Sequence, residues 1–403
     1  MWIAKLSPCS YRPLLLWTFL TLVSLLIITG CQSSQLTNKD LTASEWDAQL
    51  QLDSVRESIV LENFSYQQIK TEWLDWYDES RQRQVPALLF LPNKELPDKE
   101  LPNKELANEQ LATQELSSEK PQKKEQTLPA APTKKIPLVI FSHGLGGARD
   151  RYSYLGQYWA SKGVASLHLQ HVGSDRQVWQ GSRITLPLRL RKAAGDEEAL
   201  ARVADVKFAL GKLLQSPAAR LIDQQHLIIA GHSYGANTAM LIAGAEVERN
   251  KQRIKLQDPR FSAAILISAP PFYSNQTLDD ILDNVKIPTL HITTTKDEIT
   301  VPGFYSAPED RLALFKATGS DYKLLAVFYG GSHNIFTGRR HRPELATQSQ
   351  VIKAATQSLS LAFIARGFSG EEKTLLDWQS EHKTLLADYQ EIEHSDNPLS
   401  INR

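Results

Sequence analysis

An α/β fold, a mostly parallel twisted sheet with helices on both faces, is what this 403-residue chain predicts, and two observations carry the expectation. From about residue 137 onward, short apolar runs alternate with longer helix-forming stretches, the rhythm that a covered parallel sheet requires. Within that rhythm, the run Leu227-Ile228-Ile229-Ala230 leads directly into Gly231-His232-Ser233-Tyr234-Gly235, and the helix-forming stretch Ala236 to Ala243 follows at once. A strand thus enters a tight turn and leaves it as a helix.

Strands are expected near 137–142, 164–170, 226–231, 262–268, 288–294 and 323–329, where the apolar runs fall. Helices fill the intervals near 150–162, 196–215 and 235–249, with a terminal one near 344–366. The excursion from Val172 to Gly195 breaks this rhythm and carries Trp179, Leu186, Pro187 and Leu188 among basic residues. It is read either as a lid or pocket wall, or as a surface loop whose apolar residues pack down. Residues 91–120 form six five-residue units, from LPNKE through LSSEK. Five residues advance a helix by about 140° net, so the leucines form no stripe, and the prolines of the first three units forbid a helix interior. With the continuation to Lys135, the tract is expected to be a disordered insertion that chemistry does not need.

The turn at 231–235 suits a nucleophile. Glycines two residues before and two after Ser233 leave room for a sharp strand-to-helix bend that pushes the hydroxyl outward. A serine nucleophile needs a base and a group to orient that base, here expected in the chain order serine, acid, histidine. Five histidines follow Ser233, and only His333 comes after a strand-like run and a flexible turn, Leu324 to Ser332. His291 lies inside an apolar run, whereas His341, His382 and His394 sit among charges. For the acid, Asp297 ends the run Ile287 to Lys296, with Glu298 as its neighbouring alternative; Asp258 precedes a strand and falls at the wrong sheet edge. Two backbone N–H groups should hold the developing oxyanion, one from Tyr234 and one from Leu145 in the loop His143-Gly144-Leu145-Gly146-Gly147. That loop lacks the spacing of a phosphate-binding loop, and His143 is read as its brace. No cofactor or metal is expected: the close pair His168 and His171 has no further ligand cluster beside it.

These residues, in the order Ser-His-Gly-Leu-Gly-Gly, Gly-His-Ser-Tyr-Gly, Asp297 and His333, resemble the α/β-hydrolase fold. They are most similar to bacterial dienelactone-hydrolase-like proteins and platelet-activating-factor acetylhydrolases. Arg83-Gln84-Val85-Pro86, His171-Val172-Gly173-Ser174-Asp175 and Asp258-Pro259-Arg260 extend the likeness, which spans about residues 60–370 without the repeat. It departs at Thr294-Thr295, where many relatives carry a glycine, and at Ser233, where dienelactone hydrolases proper carry cysteine. The resemblance implies a serine esterase. It also implies that the second strand runs antiparallel to its neighbours, which puts the repeat at the sheet edge opposite the nucleophile.

At the N-terminus, Lys5 and Arg12 precede the fifteen-residue apolar segment Leu14 to Ile28, shorter than the roughly 20 residues of a spanning helix and suited to a signal-peptide core. The sequence Ile28-Thr29-Gly30-Cys31 resembles a bacterial lipobox, which implies cleavage before Cys31 and diacylglyceryl attachment to its sulfur. Gln32 is not the aspartate of an inner-membrane retention signal, so the expected location is the cell envelope, at the outer membrane. Cleavage would remove Cys9, Lys5 and Arg12, leaving no second cysteine for a disulfide and 43 basic residues against 45 acidic. Such a balance offers no electrostatic basis for nucleic-acid binding.

The expected organisation is a signal peptide over 1–30, a tether over 31–59, a hydrolase domain over 60–370 containing the insertion 91–135 and the excursion 172–195, and a helical, polar tail over 371–403. The expected function is a lipid-anchored serine hydrolase cleaving short-acyl or phospholipid-type carboxylic esters through an acyl-enzyme. Its partners are the ester substrate and, through Cys31, the membrane. A serine peptidase or amidase would use the same machinery but needs a larger gating domain, and a silent binding lipoprotein on the same fold would have no use for an activated serine.

Overall fold

The computed structural model describes residues 69–93, 135–301, 303–338 and 343–393. The signal segment, Cys31 and the whole tether over 31–59, residues 94–134 of the insertion and the last ten residues lie outside the described residues. In chain order the strands are β1 (Ile69–Asp78), β2 (Arg83–Pro92), β3 (Ile136–Ser142), β4 (Ala165–Leu169), β5 (Ile222–His232), β6 (Glu246–Arg249), β7 (Gln252–Lys255), β8 (Phe261–Ile267), β9 (Thr289–Lys296), β10 (Ile299–Val301), β11 (Phe304–Ser306), β12 (Tyr322–Ser332) and β13 (Leu386–Glu393). The α-helices are α1 (Ser153–Ser161), α2 (Leu186–Ala193), α3 (Asp196–Leu214), α4 (Tyr234–Ala243), α5 (Leu278–Leu282), α6 (Pro308–Ala317), α7 (Pro343–Ser369) and α8 (Lys373–His382).

Nine strands form one sheet in the order β1-β2-β4-β3-β5-β8-β9-β12-β13. The six from β4 to β12 run parallel; β2 and β13 run against them at the two sides, and β1 pairs antiparallel with β2. The central strands read as unbroken apolar runs because both faces are buried. On β3, Leu138 and Ile140 join one core while Val139 and Phe141 join the other; Leu227 and Ile229 against Ile228 and Ala230 repeat the division on β5. Helices α3 and α4 cover the first face, and α1, α7 and α8 cover the second. The sheet is the α/β-hydrolase sheet that the resemblance implies. Because β2 pairs β4 in antiparallel register, Ala87 opposite Leu169 and Phe90 opposite Ser166, it ends where the parallel strands begin. Both anchors of the repeat, Pro92 and Ile136, therefore lie at the sheet edge away from the C-terminal strand ends.

Three expectations are corrected. The helix expected over 235–249 stops at Ala243, because Gly244 takes φ 129°, and the chain turns into the β6–β7 hairpin. The domain does not close at residue 370. Residues 373–393 supply α8, which buries Leu375 and Trp378 in the second core, and β13, which pairs with β12 from Tyr322 opposite Glu393 to Phe328 opposite Leu386. An edge strand needs only one buried face, so Leu386-Ala387-Asp388-Tyr389-Gln390-Glu391 lacks the apolar run that marks an interior strand. Finally, α6 falls in a stretch where no helix is expected; its capping interaction, Ala307 N–H to Asp310 Oδ2 at 2.9 Å, follows a Ser-Ala-Pro start that reads as a loop.

Candidate active site

The C-terminal ends of β3, β5, β9 and β12 meet at one edge of the sheet, and each contributes a loop. At the end of β5, Ser233 has φ 55° and ψ −126°, the strained backbone of a residue forced through a strand-to-helix turn. The flanking glycines are steric necessities: a Cβ on Gly231 would collide with the Gly235 carbonyl, and one on Gly235 with the carbonyl of Ser142. The Ser233 N–H is fixed by the Ile267 carbonyl on β8 at 2.9 Å.

From the loop after β12, His333 reaches Ser233. The Ser233 hydroxyl donates to His333 Nε2 at 2.8 Å, and His333 Nδ1–H donates to Asp297 Oδ1 at 2.7 Å. Asp297, after β9, is fully buried and takes further hydrogen bonds from Thr293 Oγ1 at 2.7 Å and Arg311 Nη2 at 3.2 Å. Burial pushes its carboxyl up, but the hydrogen bond and charge of His333 and the charge of Arg311 outweigh it and hold the group well below the ordinary carboxylate range. The neighbouring Glu298 is exposed on the cleft wall.

Leu145 and Tyr234 both line the cleft, and neither amide has an acceptor among the described residues. The next amides are occupied: Gly146 N–H donates to Ser174 O at 2.8 Å, and Gly147 N–H to Gly144 O at 2.9 Å. Tyr234 opens α4, so its amide is one of the unsatisfied donors at the positive end of a helix. His143 braces the loop, its Nδ1–H donating to Gly144 O at 2.7 Å and its Nε2 accepting from His171 N–H at 3.1 Å. Burial holds His143 well below the ordinary histidine range, as it does His171. Of the pair considered for a metal, His171 joins Ser142 and Asp205, and His168 joins Ser166 and lies against Phe141.

A cleft of about 1000 Å³ opens over these groups. Its wall includes Leu241, Val247, Phe272, Ile299, Val301 and Phe304. The excursion supplies Trp179 to it from a short 3₁₀ turn (Arg176–Trp179), and Pro187, Leu188 and Arg191 from α2. Trp179 Nε1–H donates to Gly146 O at 3.0 Å, tying this wall to the Leu145 loop. Ile184 and Leu188 stand 90% and 70% exposed beside it.

The family model for platelet-activating factor acetylhydrolase, isoform II, matches residues 64–178, from before β1 through the Leu145 loop to the excursion. The chain has the α/β-hydrolase fold. No curated protein matches this chain significantly. Among solved structures it is similar to a ferulic acid esterase from Streptomyces cinnamoneus, with 20% identity, TM-score 0.47, and coverage of 74% of this chain and 89% of that one. It is also similar to a cold-adapted esterase from an Arctic intertidal metagenomic library, with 14% identity, TM-score 0.41, and coverage of 72% and 94%. A puromycin hydrolase variant aligns at 15% identity and TM-score 0.44, covering 74% of this chain and 39% of its own.

Several residues of this site have no sequence signal of their own. Thr294 and Thr295, the departure from the usual glycine, stitch the acid loop to the histidine loop: Thr294 Oγ1 donates to Gly331 O at 2.6 Å and Thr295 Oγ1 accepts from Gly330 N–H at 2.8 Å. His232, inside the elbow, donates Nε2–H to the His333 carbonyl at 3.0 Å and accepts from Tyr152 O–H at 2.8 Å. Burial and the nearby His333 lower His232 to about 3, so it remains neutral. Arg311 on α6 sits 14 residues beyond its partner Asp297, in a helix that carries no motif.

Proposed function

We propose that this protein is a carboxylic ester hydrolase that works through an acyl-enzyme in which Ser233 is the nucleophile. Its Oγ forms a bond to the ester carbonyl carbon as His333 Nε2 takes the hydroxyl proton. Asp297 keeps the imidazole in the tautomer with hydrogen on Nδ1 and stabilises the imidazolium. The Leu145 and Tyr234 amides receive the oxyanion. On collapse the bond to the alcohol oxygen breaks, and His333 returns its proton to that alkoxide. Water, deprotonated by His333, then releases the acid and restores Ser233.

The observation that carries this reading is the continuous pair of hydrogen bonds from the strained Ser233 through His333 to an ionised, buried Asp297. The apolar cleft wall supports esters with an apolar acyl group, with short-acyl and phospholipid-type esters as the classes to compare. A fluorophosphonate probe is the test. Wild type should label at Ser233, and Ser233→Ala and His333→Ala should each lower turnover by several orders of magnitude, with the double variant little worse. Retention of a tenth of wild-type activity by Ser233→Ala would overturn the assignment.

The anchor belongs to the same proposal and rests on the sequence alone: Cys31 carries a diacylglyceryl group at the outer membrane, tethering the enzyme beside lipid esters. Mass spectrometry of the mature N-terminus should find a lipidated Cys31 that Cys31→Ala abolishes. An unmodified Cys31 would remove the anchor and leave the hydrolase reading standing.

A further inference from the structure

We propose that Arg202 is the positioning residue of the oxyanion hole, clamping the loop that carries the Leu145 amide to the elbow that carries the Tyr234 amide. The inference rests on the reading of those two amides as oxyanion donors. Arg202 lies on α3, fully buried, and its guanidinium spends its fork across the gap between the two segments. Nη2 donates to the His143 carbonyl, one peptide before the one that contains the Leu145 N–H, and to Ser142 Oγ at 3.0 Å. Nη1 donates to Ser174 Oγ at 2.7 Å, and the Ser174 carbonyl holds the same loop through Gly146 N–H. Nε donates to Thr238 Oγ1 at 3.0 Å, one turn into α4, where Thr238 in turn donates to the Tyr234 carbonyl at 3.2 Å. The guanidinium carbon also lies 4.5 Å from the centre of the Tyr234 ring.

No other side chain type makes this clamp. The contacts diverge in one plane from a rigid fork, whereas a lysine ammonium offers three donors from a single point. A buried cation must also be balanced, and two relays do so. Ser174 Oγ donates to Glu198 at 2.8 Å; Ser142 Oγ donates to His171 Nε2 at 2.9 Å, and His171 Nδ1–H donates to Asp205 at 2.9 Å. Arg83 ties Glu198 and Asp205 together at 3.0 and 2.9 Å. Burial lowers Arg202 to about 10, which leaves it cationic at neutral pH. The two relays and the fork form one rigid unit behind the two amides, and sub-ångström placement of such donors separates an oxyanion hole from two loose N–H groups.

The test is a kinetic split on purified, full-length Arg202→Lys and Arg202→Gln. Assays use a short-chain p-nitrophenyl ester, a fluorophosphonate and a trifluoromethyl ketone, whose hemiketal with Ser233 carries an oxyanion. Loss of one oxyanion donor costs on the order of 10²- to 10³-fold. Displacing both partly should therefore lower kcat about 10- to 100-fold with KM within about threefold, and raise the ketone Ki in proportion to the fall in kcat/KM. Lysine should rescue little, because charge without the fork does not span the gap. A folded Arg202→Lys that keeps kcat and ketone Ki within twofold, or that loses only melting temperature, overturns the proposal. Should neither variant fold, Thr238→Val and Ser142→Ala each remove one acceptor; a several-fold fall in kcat at constant KM supports the clamp, and unchanged kcat in both sinks it. A wild-type enzyme that the fluorophosphonate does not label would instead defeat the nucleophile assignment, a failure distinct from an unchanged Arg202 variant.

Discussion

Asp297 stays charged inside the protein because its oxygens are saturated by donors, two of them on cationic or potentially cationic groups. Its ionisation is depressed, so its contribution to stability is present above the ordinary carboxylate value and is lost only as pH falls through the lower folded value. Asp297→Asn should keep the fold but let the imidazole adopt the wrong tautomer, lowering turnover by about 10⁴-fold. Arg311→Met removes the buried guanidinium 3.2 Å from Asp297, and breaking such a pair costs roughly 3–5 kcal/mol. Chemical denaturation should register that loss; a change below about 1 kcal/mol would show that Arg311 does not carry the balance of charge.

Among the elements, β2 and β3 decide what the repeat can do. Their anchors sit at the edge opposite Ser233, with β4 between them, so the gap to be bridged is about two strand spacings, roughly 10 Å. A linker of five or six residues spans that distance. Replacing residues 94–134 by such a linker should leave ester turnover within a few-fold of wild type. Lost activity with circular dichroism and melting unchanged would bring the repeat into the catalytic cycle. The excursion is the opposite case: α2 and Trp179 line the cleft, and Trp179 bonds the Leu145 loop directly. Trp179→Ala should therefore alter both KM and kcat, as steady-state assays on esters of increasing acyl length will register.

Among the described residues, five histidines are buried neutral, at 143, 168, 171, 232 and 291, and burial leads every one of their downward shifts. Each binds its proton in the unfolded chain near pH 6.5, but His168, His232 and His291 do so in the folded chain only near 3. Between those values the unfolded state holds more protons, so stability rises with pH, and the contribution present above about 6.5 is lost as pH falls towards 3. Each such histidine adds about 1.4 kcal/mol per pH unit to the slope. His291→Gln, near the start of β9, should flatten the dependence of unfolding free energy on pH between 4 and 6 by about that amount. An unchanged slope in urea titrations would show that His291 titrates alike in both states.

Local pattern made the sheet legible. The interior strands are apolar on both faces, and Gly231-His232-Ser233-Tyr234-Gly235 carries its strand-to-helix turn in five residues. Ser233, Asp297 and His333 could be chosen because each sits just past a strand end, a property written in the neighbouring residues. The edge strand β13 was not legible, since none of its residues is fully buried and its sequence is mostly polar. Arg202 was hidden differently: Glu198, Arg202 and Asp205 recur at helical spacing on the same α3 face that buries Val206, Ala209 and Leu213, and read in isolation they are charges on an amphipathic helix. The sequence by itself determined the strand–helix rhythm, the elbow and the order of the chemical groups, because these depend on residues a few positions apart. Only the tertiary structure decided that hydroxyl, imidazole and carboxylate meet within 2.8 Å, and that a helix arginine joins the loop of β3 to the elbow of β5, because those contacts link residues 36 to 100 positions apart through the packing of one sheet.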